Sequence, residues 1–370
     1  MKDFLTNKGL LIAIIWLVAI NLIGLIANNR FNLKSDNAYS WIPVQKYEQH
    51  QSWNIVNIHS RWDSNWYLDI EKNGYYRKTD DTLSNIVFFP LYPLLIKGVS
   101  LVLNNPAFSA WLISSVFLIL SCSLLYKFVQ KFHKDSDPML AVVLLLLFPT
   151  AFFLNAVYTE SLFLFLSLAA FYLAFDKKYF WAGAIGFFAS LTRITGILLF
   201  LPLIIDLLAK EGFNKNSLKN SLLLFLIPLG TACFFAYHWI YFGDPFLFFK
   251  VENAWGRSFA INWDHFIFSS SASFANFLLD TSYLLFGLAI TAYLCKLKKF
   301  AYAVYTISTI AIAISTGTLM SIGRYILILF PIYIIGASMK NEFAKYSWII
   351  ISVMLMALNT FLFVNWYWAG

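Results

Sequence analysis

The stretch Leu10-Leu-Ile-Ala-Ile-Ile-Trp-Leu-Val-Ala-Ile-Asn-Leu-Ile-Gly-Leu-Ile-Ala-Asn28 decides the fold class. A helix needs about 20 apolar residues to cross the hydrocarbon core of a bilayer, so this stretch predicts a membrane span. No small-residue cleavage site follows it, which argues against a removed signal peptide. The whole 370-residue chain shares the apolar character of this stretch, because 60% of its residues are hydrophobic and 12% are charged. Soluble chains carry about 25% charged residues, so a soluble enzyme, a disordered chain and a disulfide scaffold are excluded.

The apolar runs are continuous rather than alternating, which favours helices over a membrane β-barrel. We therefore predict an all-α polytopic membrane protein forming a single integral membrane domain over residues 1–370. A polar loop with short interfacial helices occupies residues 29–106, and a transmembrane bundle occupies residues 107–370. Further spans are predicted near residues 107–127, 138–152, 159–175, 180–194, 196–209, 218–242, 274–294, 300–317, 325–339 and 346–365.

Residues 88–104 are apolar but contain Pro90, Pro93 and Lys97, and we predict that they lie at the outer interface without crossing the bilayer. Eleven spans then remain, and the loops alternate between two sides. One side has fifteen lysines and seven acidic residues, whereas the other has twelve basic and twelve acidic residues. The positive-inside rule makes the lysine-rich side cytoplasmic. This orientation predicts a cytoplasmic N-terminus and an extracytoplasmic C-terminus, and the short loops favour a bacterial plasma membrane.

Arginine is distributed differently from lysine. All six arginines fall on the predicted outer side: Arg30, Arg61, Arg77, Arg193, Arg257 and Arg324. Topology rules treat lysine and arginine alike, so they do not explain this separation. The planar guanidinium group binds phosphate and carboxylate groups in bidentate fashion, which a lysine ammonium does not. We therefore expect the chemistry on the outer face and no nucleic-acid partner.

The outer loop contains a candidate catalytic acid, Asp63. Trp62, Trp66 and Ile70 recur every four residues, which predicts a short amphipathic helix along the outer leaflet, ended by Gly74. A carboxylate at the lipid–water boundary can accept a proton from a hydroxyl group that attacks a lipid-borne group. The alternative is structural, because Ser60-x-x-Asp63 has the spacing of a helix capping box.

Further candidates occur at the outer ends of later spans. Glu160 lies between two apolar runs, where a carboxylate is costly and usually functional, or else stabilises a helix N-terminus. Arg193 and Arg324 lie at broken or capped helix ends that suit a phosphate group. Arg257 lies in the loop after Gly243-Asp-Pro245, and the alternative for all three is a snorkelling anchor. Tyr158 is either a hydrogen-bonding residue or an interface aromatic. No His, Cys or Asp spacing is typical of a metal site, and dependence on a divalent metal is left open.

The combination of these motifs resembles the PIG-V mannosyltransferase family of the GT-C glycosyltransferases, including its bacterial members. The resemblance rests on motifs in family order: Arg61-Trp-Asp-Ser-Asn-Trp-Tyr-Leu-Asp-Ile70, Asn73-Gly-Tyr75, Phe88-Phe-Pro-Leu-Tyr-Pro-Leu-Leu95, Phe148-Pro-Thr-Ala-Phe-Phe-Leu-Asn-Ala-Val-Tyr-Thr-Glu-Ser161, Ala189-Ser-Leu-Thr-Arg-Ile-Thr-Gly196, Gly243-Asp-Pro245, Ala254-Trp-Gly-Arg257, Arg324-Tyr325, Phe330-Pro331 and Trp366-Tyr-Trp368. Eukaryotic members have a His-Phe pair where this chain has Trp66-Tyr67, so the glycolipid-anchor role of those members is not carried over.

The resemblance implies a GT-C-like bundle and a hexosyltransferase that moves mannose from a polyprenyl-phosphate sugar to a glycan or glycolipid acceptor on the extracytoplasmic face. It places the catalytic base at Asp63. It also implies substrate-binding roles for a set of motif residues: Arg61, Trp62, Tyr92, Tyr158, Glu160, Arg193, Arg257, Arg324 and Tyr325. We expect inverting transfer from the lipid-phosphate sugar donor; no cofactor is assigned, and dependence on a divalent metal is left open. Two other interpretations stay open here, a transporter or flippase for a lipid-linked sugar and a non-catalytic subunit of a glycosyltransferase complex.

Overall fold

A computed structural model describes residues 7–31, 54–77, 83–255, 257, 274–367 and 369. Within these residues every regular element is a helix. We number the α-helices in chain order: α1 (Lys8–Arg30), α2 (Asn54–Asn57), α3 (Ser64–Asn73), α4 (Leu91–Leu103), α5 (Pro106–Phe132), α6 (Pro138–Leu146), α7 (Glu160–Phe175), α8 (Tyr179–Ser190), α9 (Phe200–Glu211), α10 (Lys215–Leu224), α11 (Leu226–Phe242), α12 (Leu247–Ala254), α13 (Phe274–Lys296), α14 (Phe300–Ser315), α15 (Ile322–Leu327), α16 (Pro331–Gly336) and α17 (Glu342–Val364). Three 3₁₀ turns complete this set: Asn85–Val87, Ala151–Leu154 and Ile194–Leu199.

Five helical stretches in the described part of the chain are long and apolar enough to cross a membrane: Lys8–Arg30, Pro106–Phe132, Lys215–Phe242, Asn276–Lys296 and Glu342–Val364. Four shorter apolar helices accompany them: α4, α7, α8 and α14. The chain is therefore an all-helical polytopic membrane protein, as the sequence predicts. The count of eleven spans and the orientation of the termini stay predictions.

Several predicted spans are interrupted helices. Residues 138–152 form α6 followed by a 3₁₀ turn, and residues 218–242 are divided at Phe225 between α10 and α11. Residues 325–339 are divided between α15 and α16. The segment predicted not to span forms α4, whose 13 residues extend only about 20 Å, which is too short for a bilayer core of about 30 Å.

The chain divides into two compact units. Unit 1 comprises residues 1–74, 92–168 and 332–370, and unit 2 comprises residues 75–91 and 169–331. The prediction of a single membrane domain is not tested by this division.

In unit 1, α1 packs against α5, α6 and α17. The α1–α5 contact is close at Gly9, where a Cβ atom would lie 2.6 Å from the carbonyl oxygen of Cys122. Asn7 fixes the same contact from the start of α1. Its side chain accepts a hydrogen bond from Gly9 N and donates one to Ser123 Oγ at 2.7 Å. The opposite side of α1 carries exposed apolar side chains, among them Leu11, Ile15 and Val18.

In unit 2, α8 packs against α10 and α11, and α13 packs against α14. The α8–α11 crossing is tight because Gly230 faces α8, and a Cβ atom there would lie 2.3 Å from the carbonyl oxygen of Phe187. Gly196, in the 3₁₀ turn after α8, lies equally close to backbone, since its Cβ atom would meet Ala189 O at 2.3 Å. These close approaches position the turn that carries Arg193.

Candidate active site

Asp63 lies in a segment that is otherwise buried. Every residue from Ile58 to Ile70 is buried except Asp63, which is partly exposed. The Asp63 carboxylate is therefore accessible at the surface of unit 1, while the residues on either side of it are packed in the interior. This is the arrangement that a preorganised general base needs, because its neighbours fix its position while substrate still has access.

The predicted amphipathic helix exists, with a different start and different surroundings. It is α3, Ser64–Asn73, and Gly74 ends it with φ +73° and a hydrogen bond from its N–H to Ile70 O. Trp62 lies before the helix. The predicted apolar stripe is buried within unit 1, since Trp66 is 0% exposed. The position of the whole outer loop relative to the membrane stays a prediction.

The capping-box alternative for Asp63 is not observed. Asp63 precedes α3 with α-helical backbone angles, and its side chain makes no capping hydrogen bond. Ser60, the other member of the predicted box, donates its hydroxyl to Val56 O at 3.3 Å. The residue that closes this turn is Ser64, whose hydroxyl donates to Arg61 O at 2.7 Å and accepts from Arg61 N at 3.1 Å.

The turn before Asp63 has an unfavourable backbone conformation. Trp62 has φ +53°, in the left-handed region that a bulky residue seldom adopts. Such conformations cost about 1–3 kcal/mol and persist only where surrounding contacts impose them. They also cluster at active sites and ligand clamps. The conformation directs the chain so that Trp62 is buried while the next residue, Asp63, is partly exposed.

Tyr158 holds this turn from the other side. Its hydroxyl donates to Arg61 O at 3.1 Å and accepts the backbone N–H of Asp63 at 3.1 Å. Tyr158 is 1% exposed, and Ser114 Oγ donates to its carbonyl oxygen at 3.2 Å. The sequence predicts substrate contact for Tyr158, whereas the structure buries it beneath the Asp63 turn, where it restrains the residues on both sides of Trp62.

Arg61 is also a predicted substrate-binding residue, and its guanidinium group contacts the protein itself. Nε donates to Val364 O at 3.1 Å, and Nη1 donates to Asn57 O. The guanidinium carbon lies 4.7 Å from the ring centroid of Trp366. The side chain therefore joins the first loop to the C-terminal end of α17. Trp366 has φ +68° and its ring lies 6.3 Å from that of Trp62.

Tyr92 and Glu160 are fully buried in unit 1. The Tyr92 hydroxyl donates to Ala110 O at 3.0 Å and lies 2.8 Å from Ser114 Oγ. Its ring makes an edge contact with Tyr67, which also contacts Tyr158. Glu160 is the first residue of α7, where the helix dipole favours a carboxylate. Of these buried residues, Tyr158 contacts the Asp63 turn directly, and the predicted substrate contacts of Tyr92, Tyr158 and Glu160 stay predictions.

A polar network under the first loop was not predicted from the sequence. His59 Nε2 lies 2.7 Å from Asn21 Oδ1, and Asn21 Nδ2 donates to Asn155 Oδ1 at 2.9 Å. Asn155 Nδ2 donates in turn to Ser115 Oγ at 2.8 Å. Because the Asn21 oxygen is the acceptor, His59 Nε2 carries the proton. Burial, followed by the nearby Arg61 charge, lowers the pKa of His59 to about 3. The one sequence signal was Asn21, a polar residue inside an apolar span.

Asp69, an acid within α3, is buried and is not a solvated helix charge. It is 7% exposed, and its carboxylate accepts a hydrogen bond from Asn73 Nδ2 at 2.8 Å. Glu71, the neighbouring acid, is partly exposed, and its carboxylate accepts from Ser100 Oγ at 3.0 Å. Both acids therefore support the fold of unit 1.

The predicted phosphate-binding arginines lie in unit 2. The Arg193 guanidinium carbon is 5.3 Å from the ring centroid of Tyr325, so the structure brings the Arg193 turn and the Arg324-Tyr325 pair together. Arg324 is 5% exposed and follows Ser321, which has φ +69° at the start of α15. Arg257 differs from these two, because its Nε lies 3.9 Å from the Glu252 carboxylate, which is an ion-pair contact.

Comparison with known proteins gives one family. The family described as mannosyltransferase (PIG-V) matches residues 9–200, more than half of the 370 residues. The match includes α1, the Asp63 turn, Tyr158 and Arg193. No curated protein matches the chain. The match supports neither of the other two interpretations, a flippase or a non-catalytic subunit. The chain therefore belongs to the PIG-V mannosyltransferase family and is a membrane-embedded glycosyltransferase.

Proposed function

We propose that the protein transfers mannose from a polyprenyl-phosphate mannose donor to a hydroxyl group of a glycan or glycolipid acceptor on the extracytoplasmic face of a bacterial plasma membrane. Family membership supports the sugar and the reaction class. The outer-face location rests on the lysine distribution and on the six arginines of the predicted outer side.

Asp63 is the proposed general base. Its carboxylate takes the proton of the acceptor hydroxyl while the oxygen bonds to the anomeric carbon. The bond from that carbon to the lipid phosphate breaks, and its electron pair stays on the phosphate, which leaves as polyprenyl phosphate. A single displacement of this kind inverts the anomeric configuration. The observation that carries this role is the partial exposure of Asp63 within the buried segment from Ile58 to Ile70.

Tyr158 and Trp62 act on Asp63 in this proposal. The Tyr158 hydroxyl holds the backbone on both sides of the left-handed Trp62, so Asp63 does not need to be ordered when the acceptor binds. Ordering a flexible carboxylate would add an entropic cost to the barrier, and a fixed one avoids it. Tyr158 is thus a positioning residue, because it acts through Asp63.

Arg193 and Arg324 are the proposed phosphate ligands, with Arg257 as a weaker candidate because of its contact with Glu252. A lipid phosphate is a stable anion, so the leaving group needs charge stabilisation rather than a strong general acid. The stacking of Arg193 on Tyr325 supports a fixed orientation for its guanidinium plane.

The test is incubation of the purified protein with a panel of polyprenyl-phosphate sugars and the glycolipid fraction of its host membrane. Mass spectrometry would follow loss of each donor and release of polyprenyl phosphate. Consumption of the mannose donor alone, with a product of inverted configuration, supports the proposal. Consumption of another sugar refutes mannose as the substrate. Retention of configuration refutes the single displacement, and absence of consumption of any member refutes this donor class.

A further inference from the structure

Unit 2 contains buried polar side chains that lack hydrogen-bond partners in the described part of the chain. Among them are Ser190, Thr195, Thr231 and His238, each at most 3% exposed. An unsatisfied buried polar group costs about 1–3 kcal/mol, and native proteins retain few of them. Each one therefore calls for an explanation, such as a bound water or a ligand.

Three of these groups lie where there is little space. Ser190 contacts the glycine at the α8–α11 crossing, since a Cβ atom on Gly230 would lie 2.9 Å from Ser190 Cβ. Thr231 follows Gly230 directly, and Thr195 precedes Gly196, whose Cβ atom would lie 2.4 Å from Ser190 N. Backbone approaches this close leave no room for a sugar ring.

His238 has different surroundings. It lies in the last two turns of α11, and neither of its ring nitrogens has a hydrogen-bond partner among the residues that the structure describes. Aromatic rings enclose the imidazole, with centroid distances of 4.2 Å to Phe234, 6.1 Å to Tyr237, 6.1 Å to Phe242 and 6.5 Å to Tyr75. Three of these rings, those of Tyr75, Tyr237 and Phe242, are only partly buried. The imidazole therefore lies one side chain beneath the surface of unit 2.

The enclosing residues form no hydrogen bonds with the imidazole nitrogens of His238. The Tyr75 hydroxyl is committed elsewhere, because it donates to Phe88 O at 2.6 Å. Phe234 and Phe242 have no polar side-chain atoms. The apolar rings thus surround a group that offers, in its neutral form, one N–H donor and one nitrogen acceptor.

The His238 position is connected to the Arg193 turn through one buried cluster. Phe234 packs with Phe89 and Phe248, and Leu191 and Ile194 pack against the same cluster. Those two residues flank the Thr192-Arg193 pair. The Arg193 turn and the imidazole therefore share supporting side chains within unit 2.

We propose that His238 binds a hydroxyl group of the transferred sugar, with the C–H face of the pyranose ring against the surrounding aromatic rings. A sugar hydroxyl can either accept from the imidazole N–H or donate to the other ring nitrogen, whereas a phosphate dianion offers acceptors only. The aromatic rings bury the apolar C–H face of the sugar. This inference rests on the proposed lipid-phosphate sugar donor and adds a sugar subsite to it.

The experiment compares the binding of two lipids, polyprenyl-phosphate mannose and polyprenyl phosphate, to detergent-solubilised parent protein and to the His238→Phe variant. We expect the variant to bind the mannose lipid about tenfold more weakly, the typical effect of losing one or two hydrogen bonds. Affinity for the sugar-free lipid should not change. The thermal unfolding temperature should not fall, because phenylalanine replaces an imidazole that forms no hydrogen bond within the described part of the chain.

His133→Phe is the matched control, since His133 lies at the end of α5 in unit 1 and is only partly buried. It should leave both affinities at the parental values. Equal weakening of both lipids in His238→Phe, or no weakening of either, would overturn the sugar subsite. A lower unfolding temperature would show that a water satisfies the imidazole and would also overturn it. If the parent itself does not bind the mannose lipid, the proposed donor is wrong, which separates the two failures.

Discussion

The hydroxyl oxygen of Tyr158 lies 3.1 Å from the backbone nitrogen of Asp63, and the two residues are 95 positions apart in the chain. The same hydroxyl donates to Arg61 O at 3.1 Å. One side chain therefore restrains both peptide groups that flank Trp62, the residue with φ +53°. This relationship makes the orientation of Asp63 depend on a residue that is itself out of reach of solvent.

Replacing Tyr158 with phenylalanine should lower kcat about tenfold and leave the donor KM nearly unchanged, because a hydroxyl that only positions Asp63 contributes to the chemical step. Stability should fall by about 1 kcal/mol, since the ring remains packed. Initial-rate kinetics and thermal unfolding measure the two effects. Tyr126→Phe, at a partly buried position of α5, is the control. A rise in KM with parental kcat would instead identify Tyr158 as a substrate ligand.

Replacing Trp366 with alanine should destabilise the first loop, because the Arg61 guanidinium would lose its aromatic contact. Cation–π contacts contribute about 0.5–2 kcal/mol, and the loss of indole packing adds to this. Transfer activity should fall along with the unfolding temperature. Trp366→Phe should retain most of both properties. Unchanged stability of the alanine variant would show that the C-terminal end of α17 does not support the Asp63 turn.

Stability should depend on pH through His59. Its pKa is lowered to about 3 in the folded protein, so the unfolded chain, with a histidine pKa of 6.5, binds more protons between these values. The contribution of His59 to stability is therefore complete above about pH 6.5 and is lost as the pH falls towards 3, at up to about 1.4 kcal/mol per pH unit. Chemical denaturation of parent and His59→Gln at pH 4.5 and pH 7.5 measures it. An equal pH dependence in both proteins would contradict the burial of a neutral imidazole.

Glycine-to-alanine substitutions should lower stability at a tight helix crossing and not on an open helix surface. Gly230→Ala would place its Cβ atom 2.3 Å from Phe187 O, so α8 and α11 must move apart, and we expect a loss of about 1–3 kcal/mol. Gly98→Ala meets nothing within 4 Å, and it should be neutral or stabilising by up to about 1 kcal/mol. Thermal unfolding of the pair tests the α8–α11 contact. A stable Gly230→Ala variant would refute it.

The positions of the helices were predictable from sequence because an apolar run of about 20 residues has few alternatives to a membrane helix. The interruption at Phe225 was missed, although Pro228 in the first turn of α11 is a sequence signal for it, because proline is tolerated in the first turn of a helix and not in its interior. The end of α3 at Gly74 was predicted from a glycine that adopts φ +73°. Local sequence therefore predicted helices and some of their ends.

The site was predictable only in part. Asp63 was a candidate from its place in the outer loop, and the family resemblance gave it the role of base. The contacts around its turn join distant residues, as with Arg61 Nε and Val364 O, 303 positions apart. Burial of His59 against Asn21 depends on packing of the loop onto α1, which no local periodicity encodes. The packing of loop residues against several helices therefore could not be predicted from the local sequence.

The most direct test of the account is the rate of sugar transfer by purified Asp63→Asn, which keeps the size of the side chain and removes its capacity to accept the acceptor proton. We predict a fall in kcat of about 10²–10⁴-fold, the usual contribution of a general base, with an unchanged unfolding temperature and donor affinity. Asp69→Asn, in the same loop, is the comparison and should retain most of the parental kcat if it folds. Transfer at the parental rate by folded Asp63→Asn would contradict the assignment of Asp63 as the base.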